Sequence, residues 1–362
     1  MEIIARNLSK FFGRNLALNV ANIKISSGQI TAIIGPNAAG KSTLLKILAL
    51  LLKPDSGEII FNGKNISAFT PARKLALRRQ MVYLPQHPVI FSGSVRDNLA
   101  YGLKIRHSQN IREKVEQALR NFSLPMISER NARQISGGEK HRLMLARALV
   151  LETEVVFFDE PTTNLDPLGI KITEEIIENL RQQQRTIVLT THNLILARHF
   201  ADYIYFLDRG EIVQQGSAED IFQHPGNCRI AEFTGSPNIL TGEIIDAETF
   251  LTDGLKIFIA RSEKRGPAAI IIRPEEILVS PEPIIHSSAR NCLAGTVRQI
   301  KPIGLVRELK VQISPRNFLT VLITAESEQK MKLQIGTGVY LVFKATAIHL
   351  LEEMNETGQQ IV

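Results

Sequence analysis

The sequence has few cysteines, no long apolar run and no block of like charge. Its two cysteines, Cys228 and Cys292, stand far apart. They form neither a metal-ligand spacing nor a disulfide framework, and a reducing compartment such as the cytoplasm is expected. The longest apolar run, Leu44 to Leu52, is interrupted by Lys46. It falls short of the ~18–20 residues that a spanning helix needs, so the chain is not expected to cross a membrane itself. The opening stretch MEIIARNLSKFF lacks the layout of a signal peptide. The formal net charge of +7 is scattered along the chain. Scattered charge reads as solvated surface, not as a nucleic-acid tract, although a weakly basic surface could lie near anionic lipid or bind anions.

What is present is enough for a folded protein of two or three domains. The chain has 362 residues, 44% hydrophobic and 22% charged. Residues 29–34, QITAII, predict a buried strand; GPNAAGKST follows, and STLLKILALLL reads as a buried helix. Further apolar strands are expected at 154–160 (EVVFFDE), 186–192 (TIVLTTH) and 203–208 (YIYFLD), with a turn at Arg209-Gly210. Strands alternating with helical stretches predict a parallel sheet covered by helices. Between about 87 and 150 the pattern is helical, which predicts a helical subdomain inserted between two core strands. From 236 onward short β-rich runs alternate with Gly, Pro and charged turns, predicting a small all-β domain. There Asn238-Ile-Leu-Thr-Gly242 echoes Asn291-Cys-Leu-Ala-Gly295, a faint hint of two similar β modules.

Gly35-x-x-x-x-Gly40-Lys41-Ser42, between a strand and a helix, fits a phosphate-binding loop. Backbone N–H groups from Gly35 through Asn37 to Gly40, with the helix N-terminus behind them, suit phosphate oxygens. Lys41 would reach the β- and γ-phosphates of a nucleotide, Ser42 would ligate Mg²⁺, and Thr43 would bind a phosphate further back. Asp159 and Glu160 close an apolar strand, where open α/β sheets carry their ligands. Asp159 would hold Mg²⁺ through water, and Glu160 would polarise the attacking water. Ser136-Gly137-Gly138-Glu139 opens another helix and forms a second anion cradle. One subunit hardly needs two cradles for one ATP, so the second would serve a neighbour's γ-phosphate. The plainer alternative is a Ser N-cap on a flexible turn.

In the order GPNAAGKST, Gln86, ISGGE, VVFFDE, TTNLD, His192, residues 1–235 resemble the ABC transporter ATPase family. The resemblance implies an α/β P-loop NTPase with an inserted helical subdomain, working as a homodimer on ATP and Mg²⁺. It also implies separate transmembrane permease subunits, an extracytoplasmic substrate-binding protein, no nucleic acid, and a peripheral place on the cytoplasmic face of the membrane. It gives Phe12 a stacking role on adenine and Gln86 a place between the Mg²⁺ site and the permease. Asp166 would cross the dimer interface, and His192 would contact the γ-phosphate. Three positions depart from the pattern. Ala38-Ala39 replaces a Gly-containing pair, at a cost if Ala38 needs positive φ; Ile135 replaces Leu; Glu139 replaces Gln.

The tail, 236–362, resembles the C-terminal OB-like β-barrel domains of ABC importer ATPases, through Ile271-Ile-Arg-Pro-Glu-Glu-Ile-Leu-Val. Residues 287–352 resemble the molybdate/tungstate-binding β-barrel module, through SSARNCLAG, ITAES and VFKAT. That resemblance implies a cytoplasmic site for molybdate or tungstate. A tetrahedral dianion wants hydroxyls, a guanidinium and an ammonium, which Ser288, Arg290 and Lys344 could supply. Such a site could inhibit transport when cargo is plentiful, provided it favours the resting state. The alternative is an importer of iron, sulfate, polyamine or sugar with a purely structural tail.

Overall fold

A computed structural model describes residues 1–235, 238–284 and 286–351. The chain divides into two compact units, Met1–Ile221 and Phe222–Val362. This division falls ahead of the 235/236 boundary expected from sequence. The short helix Cys228–Phe233 belongs with the second unit, because Ala231 packs with Ala269, Ile271 and Leu351.

The first unit is built on a six-stranded sheet. Its spatial order is Glu211–Gly216, Tyr203–Asp208, Ile30–Ile34, Thr186–Thr191, Val155–Asp159 and Met81–Leu84. The last five run parallel, and the Glu211 strand is antiparallel to its neighbour. Strands 30–34, 155–159 and 186–191 are buried at every position, which is why they read as unbroken apolar runs rather than alternating ones. A smaller antiparallel sheet, ordered Asn15–Ile25, Ile3–Phe12, Ser56–Phe61, Lys64–Asn65, shares one core with the main sheet.

The strands Met81–Leu84 and Val155–Asp159 are in parallel register from Met81 opposite Val155 to Leu84 opposite Phe158. The connection between them is the expected helical insertion: Val95–Ile105, Ile111–Asn121 and Gly137–Leu149. These helices close on their own core, with Val95, Leu99 and Leu103 at i, i+4 spacing meeting Val115, Leu119 and Leu143. A capping box between Ser94 and Asp97 starts the first of them.

The second unit holds two five-stranded antiparallel sheets around a shared core. One is ordered Leu255–Phe258, Thr249–Thr252, Ile239–Asp246, Gly266–Ile272, Ile348–Leu351. The other is ordered Phe318–Thr324, Val306–Gln312, Asn291–Ile303, Gly338–Phe343, Leu278–Ser280. The two orders match strand for strand, but the fifth strands are exchanged between the halves. The faint repeat marks this symmetry. Buried Asn238 donates to the carbonyl of Thr320 (2.7 Å) and accepts from its N–H (2.6 Å). Buried Asn291 does the same to Phe258 (2.8 and 2.7 Å). Each Asn thus ties the outermost strand of the opposite sheet, satisfying backbone groups that would cost about 1–3 kcal/mol each if left unpaired. The matching glycines sit where a Cβ would press on the next strand: 2.2 Å from the Leu251 carbonyl at Gly242, and 2.6 Å from Val311 at Gly295.

Candidate functional site

The phosphate-binding loop leaves the C-terminal end of strand Ile30–Ile34 and runs into helix Lys41–Leu48. Gly40 takes the N-cap position in a left-handed conformation (φ +101°), and no side chain caps the helix. The first-turn N–H groups therefore stay available to phosphate oxygens. Ala38 does adopt positive φ (+64°). An L-residue there costs about 1–2 kcal/mol, a strain that glycine would avoid.

Lys41 is buried, and its Nζ donates to the carbonyls of Gly35 (2.8 Å) and Pro36 (3.0 Å). It lies 3.7 Å from Glu160 Oε1. Burial lowers the pKa of Lys41, and the carboxylates of Glu160 and Asp159 pull it partly back. Glu160 is itself buried and held at positive φ (+50°). Its N–H is fixed by the carbonyl (3.0 Å) and hydroxyl (3.1 Å) of Thr190. Its Oε2 lies 2.8 Å from His192 Nδ1 and accepts from the Thr163 hydroxyl. His192 is half exposed, so one end of this pair faces solvent.

Asp159 is held by three hydroxyl groups. Ser42 Oγ (2.7 Å) and Thr190 Oγ1 (2.7 Å) donate to its Oδ1, and the Tyr83 hydroxyl (2.6 Å) donates to its Oδ2. Burial and the adjacent Asp159 charge both raise the Tyr83 pKa, keeping the phenol protonated and a donor. Tyr83 and Thr190 escaped the sequence reading. Thr190 is the register partner of Asp159, a relation fixed only once the two strands pair. Tyr83 had one signal, its place three residues before Gln86 on the strand beside Asp159's.

The other expected residues lie on the surface of this unit. Phe12 is exposed at the end of its strand, and Gln86 is exposed beyond strand Met81–Leu84. Ser136 N-caps helix Gly137–Leu149 in a capping box with Glu139. Gly137 and Gly138 remain exposed on that turn. Asp166, also exposed, N-caps helix Pro167–Gln182 by accepting from Gly169 (2.7 Å).

A strand-top loop for phosphates with a Lys and two adjacent carboxylates beside it can bind a nucleotide and position a water against it. Residues 18–163 match the ABC transporter family model, and residues 287–350 match the TOBE domain model. Over 355 residues the chain is 31% identical to the molybdate/tungstate import ATP-binding protein WtpC of Pyrococcus abyssi, covering 96% of this chain and 98% of that one. The chain belongs to the ABC transporter family. It is an ATP-binding subunit, an ATPase that drives transport, with a C-terminal TOBE domain. Another relative is the Fe(3+) ions import ATP-binding protein FbpC of Photobacterium profundum, 30% identical over 96% of this chain and 97% of that one. Among solved structures, a dimeric ATP-binding cassette in a post-hydrolysis state with ADP and phosphate aligns with TM-score 0.55 and 25% identity, over 60% of this chain and 98% of that one. No helix among the described residues is long and apolar enough to cross a membrane.

In the TOBE-containing unit, Ser287, Ser288, Lys344 and Thr346 line an open pocket of about 300 Å³ together with Glu276 and apolar side chains such as Leu278 and Phe343. Arg290, expected with them, is not in its lining. Its guanidinium pairs with Glu248 (2.9 Å) and lies over the Phe258 ring (4.7 Å). A carboxylate and an aromatic face from the other β half have captured it.

Proposed function

We propose that this subunit powers an importer of a tetrahedral oxyanion, tungstate or molybdate, and that its C-terminal unit senses the same anion. The observation that carries the reading is one small pocket whose lining includes Ser287, Ser288, Thr346 and Lys344, with Glu276 as the one acidic side chain beside them. Hydroxyl donors with one ammonium suit a compact dianion. The WtpC relative supports that cargo; the FbpC relative supports the second reading, an iron importer with a structural tail. Calorimetry on the full chain separates them. Saturable binding of tungstate or molybdate over sulfate is expected, weakened about tenfold or more in Lys344→Ala. No binding, or binding indifferent to Lys344, would remove the sensing role and reopen the cargo.

At the motor site, two copies would face each other so that Ser136, Gly138 and Asp166 of one approach the nucleotide on Lys41 and Ser42 of the other. Phe12 would stack on the adenine, and Thr43 would hold an inner phosphate. The permease would sit against Gln86 and the segment after it, at the cytoplasmic face of the membrane. The oxygen donors Ser42, Asp159 and Gln86 suit a hard cation, and the Ser42–Asp159 contact already places two of them together. Mg²⁺ held there would neutralise charge on the transferred phosphoryl group. Tyr83 and Thr190 orient Asp159 toward it, Lys41 binds the phosphates, and Glu160, backed by His192, accepts the proton of the attacking water. Tyr83→Phe should raise the Mg²⁺ concentration for half-maximal turnover by about tenfold, the usual effect of losing a ligand's supporting donor. An unchanged Mg²⁺ titration would leave Tyr83 a packing residue.

A further inference from the structure

His141 lies on the helix that Ser136 caps, and its side chain is buried. Its Nε2 is 3.2 Å from the Oγ1 of Thr173, which is fully buried on helix Pro167–Gln182. The Thr173 hydroxyl gives its one proton to the Gly169 carbonyl (2.8 Å). With its proton so placed it accepts from His141, and the ring then carries its proton on Nε2. Gly169 in turn donates its N–H to Asp166 Oδ1 (2.7 Å). One hydrogen bond, His141 to Thr173, thus joins the Ser-Gly-Gly helix to the first turn of the next helix, where Gly169 meets Thr173 through its carbonyl and the capping carboxylate of Asp166 through its N–H.

Two charged groups act on His141: Arg142, next to it in the chain, and Asp166. Burial above all, with the Arg142 charge adding to it and Asp166 opposing both, lowers its pKa from 6.5 to about 4. The ring is neutral at ordinary pH, and its tautomer is set by its partner.

We propose that His141 is a positioning residue for ATP hydrolysis: through Thr173 and Gly169 it locks the Ser136-Gly137-Gly138 turn and Asp166 into one rigid face. This rests on the reading that both motifs meet the ATP of a second copy. Among the described residues, no hydrogen bond or ion pair ties either motif to its own subunit's P-loop, so on this reading their mutual spacing matters. A face whose two contacts shift independently would meet the opposing nucleotide with only one of them in place.

The test uses the full chain with Glu160→Gln as background, in which ATP should drive dimer closure. If Glu160→Gln alone does not dimerise with ATP, the two-copy reading fails and takes this proposal with it. If it does, His141→Leu and Thr173→Val should each raise the ATP concentration for half-maximal dimerisation by about tenfold, a shift that one lost buried hydrogen bond can produce. With Glu160 intact, each should raise the KM for ATP comparably, because turnover needs the same closed dimer. The double variant should be no worse than either single one, the signature of a shared path. His141→Gln, whose amide can still donate to Thr173, should recover most of the loss. Dimerisation and turnover like the parent in a folded His141→Leu, or additive losses in the double variant, would overturn the proposal. If His141→Leu does not fold, Thr173→Val and His141→Gln decide by the same two readouts.

A stability measurement checks the neutral ring directly. The folded pKa lies below the unfolded one, so the contribution is complete above pH 6.5 and is lost as pH falls toward about 4. His141→Gln should flatten the fall in Tm over that interval.

Discussion

Replacing Glu160 with Gln should lower ATP turnover by about a hundredfold or more while leaving nucleotide binding in place. The change is isosteric, and the backbone of Glu160 is held by Thr190 through both carbonyl and hydroxyl. The positive φ at Glu160 persists only because its surroundings impose it, and they are unaltered by the substitution. What is lost is the charge. A carboxamide cannot take the proton of an attacking water. Binding should hold or tighten, because the buried Lys41 then has no carboxylate at 3.7 Å competing for it with phosphate. The consequence is a dimer that closes on ATP and does not reopen. Steady-state hydrolysis, nucleotide binding and gel filtration with ATP check the three parts. Hydrolysis at the parent rate would remove Glu160 from its assigned role and shift attention to His192, its hydrogen-bond partner.

Gly35→Ala should be nearly as damaging, for a steric reason. Gly35 has φ +146°, and a Cβ there would lie 1.9 Å from the carbonyl oxygen of Leu207. That carbonyl belongs to the strand paired beside Ile30–Ile34, and Leu207 is fully buried. Neither strand can yield without opening the main sheet. A loss of more than ~3 kcal/mol of stability is expected, together with nucleotide binding, because the Gly35 carbonyl also anchors Lys41. Gly63→Ala is the matched control. It also has positive φ (+73°), but with nothing near the added methyl, and should cost only about 1–2 kcal/mol with binding intact. Thermal melts with and without ATP separate the two. Equal effects at both positions would mean that backbone conformation, not the contact with Leu207, sets the cost.

Much of this protein was legible along the chain. The strands at 30–34, 155–159, 186–191 and 203–208 fall where unbroken apolar runs placed them, because a strand buried on both faces has no polar positions to alternate. The phosphate loop was readable because its residues are contiguous, and the strain at Ala38 followed from the absence of glycine there. The helical insertion and the β-rich tail showed as changes of period.

What only tertiary structure decided lies between residues far apart in sequence. Local pattern sets which segments are strands, whereas strand order depends on which faces bury together. The order of the main sheet brought Thr190 and Tyr83 onto Asp159, and helix packing brought Thr173 onto His141. In the tail, three repeated letters hinted at two modules. The exchange of their last strands, and the Asn238 and Asn291 ties across the halves, needed the fold. Arg290 turned to Glu248 and Phe258 for the same reason: a long cationic side chain goes to the carboxylate and ring that folding places nearest, and sequence spacing carries no record of that distance.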